Sequence, residues 1–141
     1  TVITTRGPDG KPEGLTANSF SSLSLDPPLV LWSLAKAANS RAAFEACEHF
    51  AINVLAIHQR DLSHRFAVPA EDKFAGVDWS EGIGGAPVIA DCIARFECRN
   101  LARHEGGDHV IFVGEVLRLR YDPKGRPLLF YRAQYHGVGP G

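Results

Sequence analysis

A mainly β chain with short helices, arranged as a β-barrel with helical insertions, is the fold class this sequence predicts. Three observations predict it. Apolar runs at 29–34, 50–56 and 128–131 have the length of strands, not helices. Turn clusters separate the runs: Gly7-Pro8-Asp9-Gly10, Glu105-Gly106-Gly107-Asp108 and Asp122-Pro123-Lys124-Gly125. Only 40–49 and 59–66 carry apolar residues at helical spacing. A chain of 141 residues, 45% hydrophobic and 22% charged, suits one soluble domain over 1–141 with a real core.

In chain order, Thr1-Val2-Ile3-Thr4-Thr5 reads as a strand, and the abrupt start on it predicts that residues precede it. Gly7-Pro8-Asp9-Gly10 turns the chain, which returns through 12–22 as the second arm of a hairpin. Thr16, Asn18, Ser19, Ser21, Ser22 and Ser24 form a hydroxyl-rich rim against Leu15, Ala17 and Phe20. A polar rim beside a hydrophobic wall suits a ligand with a flat apolar body and hydrogen-bonding edges. Taken alone, the same stretch is a Ser-rich turn before a core strand. Asp26-Pro27-Pro28 makes a corner, because proline locks its own φ and pushes the preceding residue extended. Residues 29–34 are apolar on both faces, which predicts a central buried strand with Trp32 in the core.

Asn39 and Ser40 are good caps for a short helix over 40–49, with Ala43, Phe44 and Cys47 turned inward. A buried strand over 50–56 follows, then a helix over 59–66 with Leu62 and Phe66 on one face. Residues 68–87 are irregular, with a helical turn over 72–79 and a loop over 82–87. Beyond Val88 the pattern is β. Cys92, Ala94, Phe96 and Cys98 alternate with Ile93, Arg95, Glu97 and Arg99, giving one buried and one polar face. After the 105–108 turn comes a long strand over 109–121, with Gly114 as a bulge or a point of close approach. A last apolar strand runs over 128–131, and the Gly/Pro-rich tail from Gly137 is expected to be loose.

Several function classes fall away. A net charge of −1 without runs of one sign lacks the basic footprint of nucleic-acid binding. No apolar run approaches membrane-span length, and no signal peptide is visible. Cys47, Cys92 and Cys98 form no close pairs, which fits inert packing thiols in a reducing cytoplasm. No CxxC or HExxH occurs, so the metal signal is weak. No dinucleotide fingerprint or P-loop is present, and the glycines at 82–85 have the wrong spacing for one. No Gly-x-Ser-x-Gly elbow supports a hydrolase.

What remains is modest when each piece is read by itself. Asn39-Ser40-Arg41 at a helix start can hold a phosphate, or can be a cap with a solvated arginine. Gly107-Asp108-His109 can face a ligand or simply form a turn. His104 and His109 at one hairpin end with Asp108 point to a metal site or a proton relay. Tyr131 and Tyr135 read as edge packing.

Taken together, these residues resemble the flavin reductase-like family, the reductase components of two-component flavin-dependent monooxygenases. The resemblance covers nearly the whole chain. It rests on the order and spacing of the 14–29 stretch, Phe50-Ala51-Ile52-Asn53-Val54-Leu55, Asp61-Leu62-Ser63-His64-Arg65-Phe66, Phe74-Ala75-Gly76-Val77-Asp78-Trp79, Gly106-Gly107-Asp108-His109 and Pro127-Leu128-Leu129-Phe130-Tyr131-Arg132. It implies an FMN-binding split β-barrel, dimeric, with flavin at the interface of two identical subunits. It implies Gly14, Leu15, Thr16, Asn18 and Ser19 along the isoalloxazine edge and ribityl chain, with Ser33, Leu34 and Ala35 lining the same pocket. Asn39, Ser40 and Arg41 would hold the phosphate, and Ser63, Arg65 and Phe66 would close the flavin site. His109, as the catalytic candidate, and Tyr131, Arg132, Ala133, Gln134 and Tyr135 are assigned to the nicotinamide. The helical lead-in of some relatives is absent from this sequence.

The implied activity is NAD(P)H-dependent flavin reduction in the cytoplasm. Hydride passes from the nicotinamide to FMN, or alternatively FAD, and reduced flavin goes to a partner monooxygenase. No arginine cluster marks a 2′-phosphate site, so NADH is expected over NADPH. The chemistry belongs to the two redox rings, and the protein stacks and orients them. In that reading His109 positions the carboxamide and is not an obligatory base. A non-catalytic flavin- or haem-binding split barrel and a ligand-free structural dimer are the alternatives. Gly107-Asp108-His109 together with Tyr131 and Tyr135 favours the enzyme, since a pure flavin binder has no need of them.

Overall fold

Two strands that follow one another in the chain stand at opposite ends of the main sheet. The computed structural model describes residues 1–139, so Pro140 and Gly141, the end of the tail expected to be loose, lie outside the described residues. The sheet contains β1 (Val2–Arg6), β2 (Pro12–Thr16), β3 (Ser21–Leu25), β4 (Pro28–Ala35), β5 (His49–Val54), β8 (Ala94–Gly106) and β9 (His109–Tyr121). Its order is β2-β1-β5-β8-β9-β4-β3, antiparallel throughout. Laid flat, six strand spacings would hold β2 and β3 roughly 29 Å apart. The chain from Thr16 to Ser21 can span about 17 Å at most. The sheet therefore curls until its edges face each other, which is barrel geometry. The edges do not pair, so the barrel stays split there.

This crossing corrects the expected hairpin arm over 12–22. The arm ends at Thr16, where its pairing with β1 ends at Val2, and the serine run becomes a separate strand on β4. The strand over 29–34 is also corrected. Val30, Trp32 and Leu34 are buried, but Leu29, Leu31 and Ser33 are only half-buried, because β4 lies next to an edge strand and its outer face has no second layer over it.

The main core gathers under β4. Trp32 is fully buried and stacks on Phe112 at 4.9 Å, with Phe44 at 4.9 Å and Phe50 at 5.8 Å meeting it edge-on. A smaller core of Val2, Leu55, Phe66, Phe74 and Ile89 lies beneath the helix α2 (Arg60–Ala67). The first helix, α1 (Arg41–Ala46), is shorter than the expected 40–49, because Cys47 turns extended to start the approach to β5. Only a hydrogen-bonded turn, from Val77 N to Phe74 O, appears within 72–79. The 82–87 loop holds a single 3₁₀ turn and joins a small hairpin of β6 (Trp79–Glu81) and β7 (Pro87–Ile89).

Glu97 and the last strand depart furthest from the alternating pattern. Glu97, expected on a polar face, is 1% exposed. Arg118 across the β8–β9 ladder and the Ile83 N–H satisfy its carboxylate, and Gly82 lets the covering loop approach it. The final strand is not a core strand. β10 (Leu129–Tyr131) pairs only with β11 (Gln134–His136), and all three β10 residues are exposed. Gly114 is a point of close approach: a Cβ there would lie 2.7 Å from Phe50 Cζ and 3.0 Å from Cys98 Cβ. Gly114→Ala is expected to cost about 1–3 kcal/mol by overpacking. Urea unfolding at constant m-value would measure it, and an unchanged midpoint would contradict it.

Candidate functional site

Beside β2 and the segment that crosses from it toward β3 lie two neighbouring clefts that share Leu15 and Thr16. The smaller, about 460 Å³, is lined by Leu15, Thr16, Ala17, Asn18, Ser19, Ser33, Ala35, Gly106, His109 and Ile111. The larger, about 840 Å³, adds Gly14, Asn39, Ser40, Phe66, Lys73 and Trp79 to the shared wall. Residues far apart in sequence meet here because β2 is one end of the sheet and β4 lies near the other.

Each strand positions its contribution through backbone register. Ser19 Oγ accepts the Ser33 N–H at 2.9 Å and donates to Ser33 O at 3.2 Å, fastening the crossing segment to β4. Leu34, predicted to line the pocket, turns its side chain fully into the core and borders neither cleft. Ala35 pairs with His109, and the Lys36 N–H donates to Asp108 O, which fixes the hairpin end beside β4. His109 Nδ1 lies 2.7 Å from Asp108 Oδ1, and the imidazole beside it holds the Asp108 carboxyl below its ordinary range. His104 pairs with Ile111 further up the hairpin and shares no hydrogen bond with either residue. No cluster of three metal-ligating side chains forms among the described residues.

At the larger cleft, Thr16 Oγ1 donates to Ser63 O at 2.6 Å, joining β2 to α2. Gly14 has no room for a side chain: a Cβ would sit 3.0 Å from the Phe66 ring. Ser40 is buried, and its hydroxyl makes no cap bond, so it is free on the cleft wall. Arg41 does not line this cleft, because its Nε is taken by Glu45 at 2.7 Å. Two cations border the cleft, Lys11 and Lys73, and Lys73, which sequence reasoning left inside an irregular loop, is the one held by backbone carbonyls. Its ammonium donates to Gly14 O at 3.2 Å and Phe66 O at 3.1 Å, and desolvation lowers its pKa. Glu13 borders the same cleft, and burial raises its pKa.

Tyr131, Arg132, Ala133, Gln134 and Tyr135 form the β10–β11 hairpin. Arg132 and Ala133 take positive φ at its turn. Tyr135 OH lies 2.8 Å from Ser63 Oγ, and the Arg60 guanidinium lies over its ring at 5.4 Å. Arg65 lines a separate cleft beside Tyr135. The structure thus brings Gly14, Thr16, Ser63, Phe66 and Tyr135 into one connected group, and Ser19, Ser33, Ala35 and His109 into another.

No nucleophile stands out. Burial pushes the Cys98 thiol up to about 12 and the Cys92 thiol to about 11, so both are protonated at neutral pH. What the arrangement supplies is an apolar-walled slot with a hydroxyl and amide rim, a histidine at one end and a lysine at the other. It can bind and orient a long planar ligand with an anionic tail. A flavin fits this donor set, and the side-chain-free Gly14 lets the Phe66 ring of α2 pack directly on the β2 backbone.

Comparison with known proteins agrees with that fit. The family model described as flavin reductase like domain matches residues 1–139. The FMN reductase (NADH) SmoA of Agrobacterium fabrum is 51% identical over 130 residues, which are 92% of this chain and 73% of that protein. The flavin-dependent monooxygenase reductase subunit HsaB of Rhodococcus jostii is 44% identical over 99% of this chain and 71% of its own. The stachydrine N-demethylase reductase subunit Stc3 of Rhizobium meliloti is 52% identical over 82% of this chain, which spans only 50% of that protein. Among solved structures, the NADH:FAD oxidoreductase SgcE6 of Streptomyces globisporus, in complex with NAD and FAD fragments, superposes with a TM-score of 0.93. It is 40% identical, covering 99% of this chain and 84% of that one.

Proposed function

The chain belongs to the flavin reductase like domain family, and from that premise we propose that it is an NAD(P)H:flavin oxidoreductase, one domain that supplies reduced flavin to a partner monooxygenase. The observation that carries this reading is the juxtaposition of His109 with the hydroxyl-rimmed slot beside β2. Flavin, when bound, supplies the hydride-accepting ring. The residues of this chain do the positioning. Thr16, Asn18, Ser19, Ser33 and Ala35 line the polar side of the slot. Phe66 and Leu15 wall the slot and exclude water. Asn39, Ser40 and Lys73 take the phosphate end. Asp108 holds one face of His109 so that the other nitrogen is presented to the nicotinamide. Tyr135, tied to Ser63, holds the β10–β11 hairpin against α2, where Arg65 borders a cleft of its own.

Both FMN and FAD suit the larger cleft, and NADH is the proposed reductant. Half-exposed Leu29 and Leu31 on β4 and the exposed Leu23 and Leu25 on β3 support a homodimer, whose mass in solution should be twice 15.3 kDa. No helix among the described residues is long and apolar enough to cross a membrane.

Stopped-flow reduction with both flavins and both nicotinamides tests the activity. Turnover of FMN or FAD by NADH is the expected result. A protein that binds flavin yet never passes electrons to it would instead be a carrier. His109→Ala should raise KM for NADH about tenfold, or about 1.4 kcal/mol, and leave flavin Kd within about twofold. Unchanged KM and turnover would remove His109 from the nicotinamide site.

A further inference from the structure

A row of charged pairs runs along the β8–β9 ladder and stops one partner short. Arg99 faces Glu115, with Nε and Oε1 3.2 Å apart. Glu97 faces Arg118, with Oε2 and Nε 2.5 Å apart. The next position on the same face of β8 sets Arg95 directly opposite Arg120, two guanidinium groups and no acid. Like charges placed opposite each other on neighbouring strands repel. Arg95 Nε is, in addition, buried without a hydrogen-bond partner, and a buried donor left unpaired bears its whole desolvation cost.

The two arginines border a cavity of about 510 Å³ at the far end of the ladder from His109, with Ile89 and Tyr121 also in its wall. Asp91 and Asp122 reach the same cavity, but neither forms an ion pair with an arginine among the described residues. Asp122 Oδ1 instead accepts the Lys124 N–H of its own turn at 2.9 Å. A guanidinium pair beside Ile89, Leu119 and Tyr121 matches a planar carboxylate on a small hydrophobic body, since arginine binds carboxylates in a bidentate fork. A cavity of this volume takes a ring-sized ligand.

We propose that the Arg95–Arg120 cavity is a second ligand site, which binds the carboxylate of a small organic acid. Benzoate is the probe, and benzyl alcohol is its uncharged counterpart. Equilibrium dialysis of the full chain should show saturable benzoate binding and none for benzyl alcohol. The ¹⁵N-edited resonance of the Arg95 Nε–H should move as benzoate is added. Arg95→Gln and Arg120→Gln should each weaken binding at least about tenfold. Equal binding of the two probes, no saturable benzoate binding, or full binding by both variants would overturn the proposal. A change in dimer mass in either variant would also overturn it, because the missing carboxylate would then be a second copy's side chain. The resonance shift is read on the unmodified protein, so the outcome does not hang on either variant folding.

Discussion

Trp32→Ala is expected to lower the free energy of unfolding by about 4 kcal/mol, a large part of what a domain this size has to lose. Trp32 is fully buried where four aromatic rings meet, and its ring plane lies nearly parallel to Phe112. Removing it deletes the largest side chain of the core and leaves a void that the flat rings around it cannot fill by small shifts. Trp32→Phe separates volume from polarity. The indole N–H is buried without a partner, so phenylalanine removes an unsatisfied donor while it loses packing. That variant should cost about 1–2 kcal/mol. Urea unfolding followed by circular dichroism measures both, and a loss below about 1.5 kcal/mol for the alanine variant would mean that the core can collapse around the gap.

Glu97→Ala is expected to cost about 3 kcal/mol. The substitution strips the Ile83 N–H of its acceptor and frees Arg118, whose half-exposed guanidinium regains water. The covering loop loses its anchor at the same time. Arg118 beside it holds the Glu97 carboxyl below the usual carboxylate range, against a smaller opposing effect of burial. A carboxylate with a depressed folded pKa gives stability that is present above its unfolded value. That stability is lost as pH falls below about 4.5, through the folded value. In Arg118→Met the depression weakens, because burial then opposes only the Ile83 N–H and Arg95. Stability should therefore fall less steeply on acidification in that variant. Thermal melts between pH 4 and 7 would show the shallower acid slope for the variant, and parallel curves would refute the role given to Arg118.

Much of the architecture could be read in the chain because the cues were local. Gly107-Asp108 closes a two-residue hairpin between β8 and β9, and the helical spacing of Leu62 and Phe66 marks α2. The errors arose where the deciding partner is distant in sequence. Glu97 sits in an alternating strand as an outward residue would, and its burial depends on Arg118 and on the loop at Gly82. The apolar run at 29–34 cannot reveal that one of its faces is left half-covered. Lys73 had no pattern around it at all. Its relevance comes from two carbonyls, Gly14 O and Phe66 O, contributed by different elements. Of the candidate residues, Gly14, Leu15, Thr16, Asn18, Ser19, Ser33, Ala35, Asn39, Ser40, Phe66 and His109 border one of the two clefts, while Leu34, Arg41, Ser63, Arg65 and residues 131–135 border neither, a division that depends on how distant strands meet. Leu34 shows the limit of a resemblance read residue by residue: its neighbours face the slot, and its own side chain does not.

Residues 17–20, which carry the chain from one sheet edge to the other, turn the binding slot into a seam that exists only once the whole domain has assembled. No fragment can hold the slot open, so occupancy and global folding rise and fall together. A flavin at a hundred times its Kd should therefore protect every slow-exchanging amide of the sheet by about 2.7 kcal/mol, those remote from the slot included.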